Sequence, residues 1–290
     1  MKKSFFVYSI AAGLIAISAC KKDEPTVEEP PAQTNDSNAP LSNATIESAY
    51  DDMTNMTDQA ITGDMTYYKS PTVKFVTPEE YNAGIYDKEA CAVVISLDTL
   101  NSAKSITIDW GTENCDCNDG KQRRGKLITT FTGKYRDPGT VITHTPVDYY
   151  VDDNHIEGNK TVTNSGLNSS LQPYFTITVN GKVTMTNGDV FNYTSDRVRT
   201  WTAGVGTLLN FMDDEYELTG TAEASSTTGE GYSLTITSPL RVSVGCAFVT
   251  KGTMEFTPVG KLVRVIDYGD GTCDNIFTVT VAGVTYTING

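Results

Sequence analysis

The chain has 290 residues, with 22 Lys and Arg against 36 Asp and Glu, a net charge of −14 and a hydrophobic fraction of 39%. That length allows one large domain or two small ones, and the apolar fraction is enough for a core. So acidic a chain lacks the basic stripe that neutralises phosphates, which excludes a nucleic-acid binder.

Lys2 and Lys3 precede an apolar run of 13 residues, Phe5 to Ile17. A bilayer core needs about 20. Length and flanks are those of a secretory signal. The run ends Ile17-Ser18-Ala19-Cys20, which resembles the lipobox of bacterial lipoproteins. The resemblance implies removal of residues 1–19 and acylation of Cys20. Several acyl chains on one residue anchor stably, because each buried CH₂ contributes about 0.8 kcal/mol. The following Lys22-Asp23-Glu24 resembles the export signal of surface-exposed lipoproteins in the Bacteroidota. The expected place is the outer membrane, lipid-anchored, facing outward rather than into the periplasm. The membrane is thus one expected partner.

Residues 20–44 form the lipidated cysteine and a tether. Pro25, Pro30, Pro31 and Pro40 stand among Glu, Asn, Ser and Ala, a composition that cannot offset its ordering entropy. From residue 45 the pattern changes. Ile46, Ala49, Tyr50, Met53, Met56, Ala60 and Ile61 recur every three or four residues, the stripe of an amphipathic helix over 45–61 that packs on the main domain. Asn43 is the expected N-cap and Gly63 the expected stop.

The rest reads as β. Thr occurs 42 times and Tyr 15 times, and both favour pleated, half-buried surfaces. Residues alternate in 126–132, 174–179, 234–237 and 277–281. Asn180-Gly181 and Asn187-Gly188 predict two-residue hairpins, and Asp137-Pro138-Gly139 a turn. Strands recur about every 8–12 residues with no helical pattern between them. The expectation is an all-β domain over 45–290, an antiparallel sandwich or barrel-like, plus the one N-terminal helix.

Two segments echo each other. Ile108-Asp109-Trp110-Gly111-Thr112-Glu113-Asn114-Cys115-Asp116 aligns with Ile266-Asp267-Tyr268-Gly269-Asp270-Gly271-Thr272-Cys273-Asp274. Cys91 and Cys246 stand upstream at similar distances, each beginning Cys-Ala-x-Val. This predicts a duplication, about 88–145 and 243–290, with an insertion near 146–242. In an oxidising compartment it also predicts disulfides Cys91–Cys115 and Cys246–Cys273. Cys117 is left over, or competes with Cys115. A zinc site is the weaker reading, because the four-ligand spacing is missing.

Together with Gly133–Thr140, Ile156–Asn164 and Arg197-x-Arg199-x-Trp201, these segments resemble an uncharacterised family of exported lipoproteins of the Bacteroidota. The resemblance covers most of 88–290. It implies location and fold class and carries no activity or catalytic residue.

Chemistry is sparse. His144 and His155 flank a hairpin turning near Asp152-Asp153; in regular register His144 faces Thr161, well away from His155, which argues against a shared metal site, and each is expected to be a surface histidine. No nucleophile elbow, phosphate loop or zinc-protease motif is present. Carboxylates at Asp152, Asp153 and Glu157, or Asp213, Asp214 and Glu215, are the candidates for an unrecognised hydrolase. No catalytic residue and no cofactor are expected. Calcium on Asp267, Asp270 and Asp274 is the weak exception, without EF-hand order. Trp110, Tyr268, Tyr149, Tyr150 and Trp201 are candidate ligand-stacking residues, against the alternative of core packing. Asp98-Thr99-Leu100 resembles an O-glycosylation acceptor of these bacteria, on Thr99. The leading expectation is a non-enzymatic envelope protein that binds a partner protein or plays a structural part. The alternatives are a glycan-binding module of a carbohydrate-uptake system and a hydrolase.

Overall fold

The computed structural model describes residues 38–62, 73–84, 93–99, 104–207, 211–246 and 248–289. The expected signal segment, Cys20, most of the expected tether, Gly63 and Cys91 lie outside them. The chain is mostly β. Helix α1 (Asn38–Thr62) leads to β1 (Val73–Val76), α2 (Pro78–Ala83), β2 (Val93–Asp98), β3 (Lys104–Asp116), β4 (Gln122–Phe131), β5 (Val141–Val151) and β6 (Asn154–Leu167). Then come β7 (Pro173–Thr184), β8 (Val190–Ala203), β9 (Glu215–Ser226), β10 (Gly231–Ser243), β11 (Val249–Pro258), β12 (Arg264–Asp270), β13 (Ile276–Val281) and β14 (Val284–Asn289).

All fourteen strands form one sheet in sequence order. β1 and β2 are parallel; every later pair is antiparallel. β1 and β14 do not pair with each other, so the sheet is open. The expectation of a sandwich or barrel-like form therefore resolves to a single open meander. Residues 146–242 continue the same sheet as β5 to β10.

One face of the sheet is closed by α1. Ile46, Ala49, Tyr50, Met53, Met56 and Ala60 are buried as the stripe predicts, in one cluster with residues of β2 to β11. Ile61 is 53% exposed and lies off the stripe. The helix starts at Asn38, not at 45, so 38–44 are helix rather than tether, and Asn43 sits inside it. Pro40 does not prevent this, because the first helical turn has no N–H to lose. Helix α2 escaped the sequence reading. Its signal is Thr77-Pro78-Glu79-Glu80: the Thr77 hydroxyl accepts from the Glu80 N–H, and the Glu80 carboxylate accepts from the Thr77 N–H.

Asp137-Pro138-Gly139 is a turn, as expected; Asn187-Gly188 also lies in a turn, but the loop runs over 185–189 rather than two residues. Asn180-Gly181 is not a turn; both residues lie inside β7, opposite Thr194 and Tyr193 of β8. The glycine serves a close approach instead of a turn. A Cβ on Gly181 would lie 1.7 Å from the Tyr50 hydroxyl oxygen of α1. Tyr50 is buried, stacked on Tyr193, and donates to the Glu157 carbonyl. Gly181→Ala is expected to destabilise by about 1–3 kcal/mol through overpacking, measured by urea unfolding, with part of the loss recovered in combination with Tyr50→Phe.

Candidate functional site

Two places are candidates for a functional site. The first is the seat of α1. Arg123 of β4 is fully buried and grips Asp52, with Nε to Oδ2 at 2.9 Å and Nη2 to Oδ1 at 2.6 Å. Asp119 takes its other edge. Tyr149 donates to Asp52 at 3.0 Å and Lys121 at 3.1 Å. Burial pushes the Asp52 carboxyl up, but the Arg123 hydrogen bonds and charge, with Lys121, outweigh it and hold the pKa below the usual range. Burial, and then the Asp52 charge, push the Tyr149 hydroxyl well up. Farther along, Tyr193 and Arg197 of β8 both donate to Glu47, at 2.7 and 2.9 Å. Lys160 of β6 donates to Asp51 at 2.7 Å and to the Tyr50 carbonyl at 3.2 Å. Thr57 meets Thr129 at 2.9 Å and His144 Nδ1 at 3.2 Å. The helix brings acids, and the sheet meets them with cations.

The structure does not place His144 at the surface opposite Thr161. It is buried and lies opposite Lys160. The register shifts by one between His144 and Tyr149, where Asp148 takes a φ of 45°. One extra residue turns every side chain beyond it to the other face. His144 and Tyr149 then both point inward. Burial, then the Lys160 charge, lower the His144 pKa to about 3. His155 stays on the outer face, stacked on Tyr150 at 4.4 Å.

The two echoed motifs share their local geometry. Asp109 accepts from the Gly111 N–H at 2.8 Å, and Asp267 from the Gly269 N–H at 2.9 Å. Gly111 and Gly269 have φ of 85° and 88°, which favours glycine. Cys246 and Cys273 form a disulfide. Cys115 is disulfide-bonded as well, while Cys117 is a buried free thiol. Cys115, not Cys117, is therefore the bridged cysteine; its expected partner Cys91 lies outside the described residues. The 27-residue separation of Cys246 and Cys273 corresponds to about 3.5 kcal/mol of loop-closure entropy. Cys273→Ser is expected to lower stability by about 3 kcal/mol, read in matched unfolding curves with and without reductant.

The stacking candidates divide. Trp110 (1% exposed), Tyr149 (0%) and Trp201 (3%) are core residues and offer no face to a ligand. Trp110 packs on Tyr149 at 5.3 Å, and Arg136 lies 4.5 Å over Trp201. Tyr150 is half-buried beneath the Arg124 guanidinium at 3.8 Å. Tyr268 is half-buried and lines a cavity. The calcium candidates are not brought together. Asp267 accepts from its own turn at Gly269, Asp270 from Thr272, and Asp274 from Ile276. Among the described residues no three acidic, His or Cys side chains form a metal cluster. Thr99 is exposed between β2 and β3, with Leu100 outside the described residues.

The second place is that cavity. It measures about 220 Å³ and is lined by Phe248, Val249, Tyr268, Asp274, Asn275, Ile276 and Phe277. Tyr268 on β12 and Phe277 on β13 stand with ring centroids 5.9 Å apart. The disulfide joins the chain just before Phe248 to the chain just before Asp274, so it ties the two rims together. No family model, curated protein or solved structure matches the chain. The site is accordingly argued from its own geometry.

Proposed function

We propose that the protein is a lipid-anchored component of the outer-membrane surface with a non-enzymatic binding or structural role, and that it belongs with the exported lipoproteins it resembles. The observation that carries this reading is the seat of α1. Asp52, Arg123 and Lys160 are all buried and are engaged at that seat: Arg123 holds Asp52 and is itself braced by Asp119, and Lys160 holds Asp51. Such networks shift pKa values without being active sites. Ile17-Ser18-Ala19-Cys20 supplies the anchor.

The test is fractionation of cells making the full-length chain or Cys20→Ala. The wild type is expected in the outer-membrane fraction, carrying acyl mass on Cys20 and open to protease added to intact cells. The variant is expected in soluble fractions. A wild-type chain that is soluble and unacylated overturns the reading. The cavity favours binding over hydrolysis, because its lining holds the one carboxylate of Asp274, where glycoside hydrolysis uses a pair.

A further inference from the structure

The two echoed motifs differ in one respect that bears on ligands. In the first, the aromatic residue is Trp110, and its place is filled: it is 1% exposed, with Tyr149 packed against it. In the second, the matching Tyr268 keeps the same Asp–Gly turn, yet opens onto the cavity of about 220 Å³. Where the first motif has protein, the second has space.

The walls of that space are chemically divided. Tyr268, Phe277, Phe248, Val249 and Ile276 are apolar surfaces. Phe248 and Ile276 are 40% and 48% exposed, so the apolar wall continues to the mouth. Asp274 and Asn275 stand at one side. Asp274 Oδ1 accepts from the Ile276 N–H at 3.1 Å, which fixes the carboxylate and leaves its other oxygen able to accept. Among the described residues the Asn275 amide has no hydrogen-bond partner, and an amide both donates and accepts. A ring with one apolar C–H face and hydroxyls around its edge matches such walls. The face lies on the aromatic side, and the hydroxyls donate to the carboxylate and exchange both roles with the amide. A quaternary ammonium would use the rings and the carboxylate but has nothing to offer the amide. The volume is below the ~300–1,000 Å³ that holds a drug-sized molecule, which limits the site to a single ring. The disulfide across the rims preorganises them, and that lowers the entropy lost on binding.

We infer that the cavity between β11, β12 and β13 binds one pyranose ring of a saccharide, stacked on Tyr268 and hydrogen-bonded by Asp274 and Asn275. This gives the proposed binding role a ligand class and rests on that role, not on the lipid anchor. It is tested by ligand-observed NMR titration of the full-length chain. The probes are glucose, galactose, mannose, N-acetylglucosamine and their short oligomers, with choline as the cation probe. Saturable binding of at least one saccharide is expected. Tyr268→Ala is expected to weaken it by at least about tenfold, and Tyr268→Phe, which keeps the ring, to leave it within about twofold. Phe248→Ala, at an exposed rim, is expected to weaken it too and decides the matter if Tyr268→Ala does not fold. The inference is overturned by no saturation with any saccharide, by saturation with choline alone, or by saccharide binding that Tyr268→Ala and Phe248→Ala leave unchanged. Failure here with acylated, surface-exposed wild type would remove the sugar site and leave the anchored protein standing.

Discussion

Asp52→Ala is expected to lower the unfolding free energy by about 3 kcal/mol, the lower part of the range for breaking a buried ion pair. The size follows from what is left behind. Arg123 is fully buried in the sheet and cannot reach water when its partner goes. Asp119 still holds one edge of the guanidinium, which keeps the loss from the top of the range. Tyr149 also loses its acceptor, in a site where its hydroxyl is fully buried. Lys121→Met removes a partner of the same carboxylate that is itself 22% exposed, and is expected to change stability by less than about 1 kcal/mol. Urea unfolding of the two variants measures the contrast. A limited-proteolysis time course reads the same event locally, because α1 should become the first segment cut in Asp52→Ala. Equal effects from both variants would mean that the Asp52–Arg123 pair does not seat the helix.

The apolar half of this seat is legible in the sequence; the polar half is not. The three-and-four spacing of Ile46, Ala49, Tyr50, Met53, Met56 and Ala60 identifies the buried face of α1, because helical periodicity is local. Asp52 lies beside that stripe and reads as a solvated acid, since its partner Arg123 is 71 residues away. Strand alternation and the turns at 137–139 and 187–188 are also local and are found. Gly181 misleads because glycine serves turns and close approaches alike, and only the position of Tyr50 separates the two. The bulge at Asp148 is invisible to alternation and inverts the placement of His144. The paired Asp–aromatic–Gly motifs are plain in the sequence. That one is filled and the other open depends on Tyr149, on Phe248 and on the strands that carry them, which no spacing within either motif reveals.

Between pH 7 and pH 5 the protein is expected to lose about 2 kcal/mol of stability through His144 alone. In the fold the imidazole is confined. Nδ1 meets Thr57 and Thr129, Nε2 is buried with no hydrogen-bond partner, and the Lys160 ammonium stands near. A proton would place a charge where only a like charge faces it, so the folded pKa falls to about 3. In the unfolded chain the ring titrates near 6.5. The unfolded state therefore binds the proton first, and stability falls as pH drops through 6.5 and continues to fall toward 3. Asp52 acts in a separate, lower window. Its folded pKa is depressed, so its contribution is intact above the ordinary carboxylate value of about 3.9 and fades only below it. His144→Gln removes the titrating ring, and its stability is expected to be nearly level from pH 7 to pH 5 while the wild type declines. Asp52→Asn, in contrast, should run parallel to the wild type across that interval. Chemical unfolding at half-unit steps of pH distinguishes these outcomes. Parallel curves for wild type and His144→Gln would show that the histidine is not held neutral under α1, and would contradict the inward turn that the bulge at Asp148 gives it.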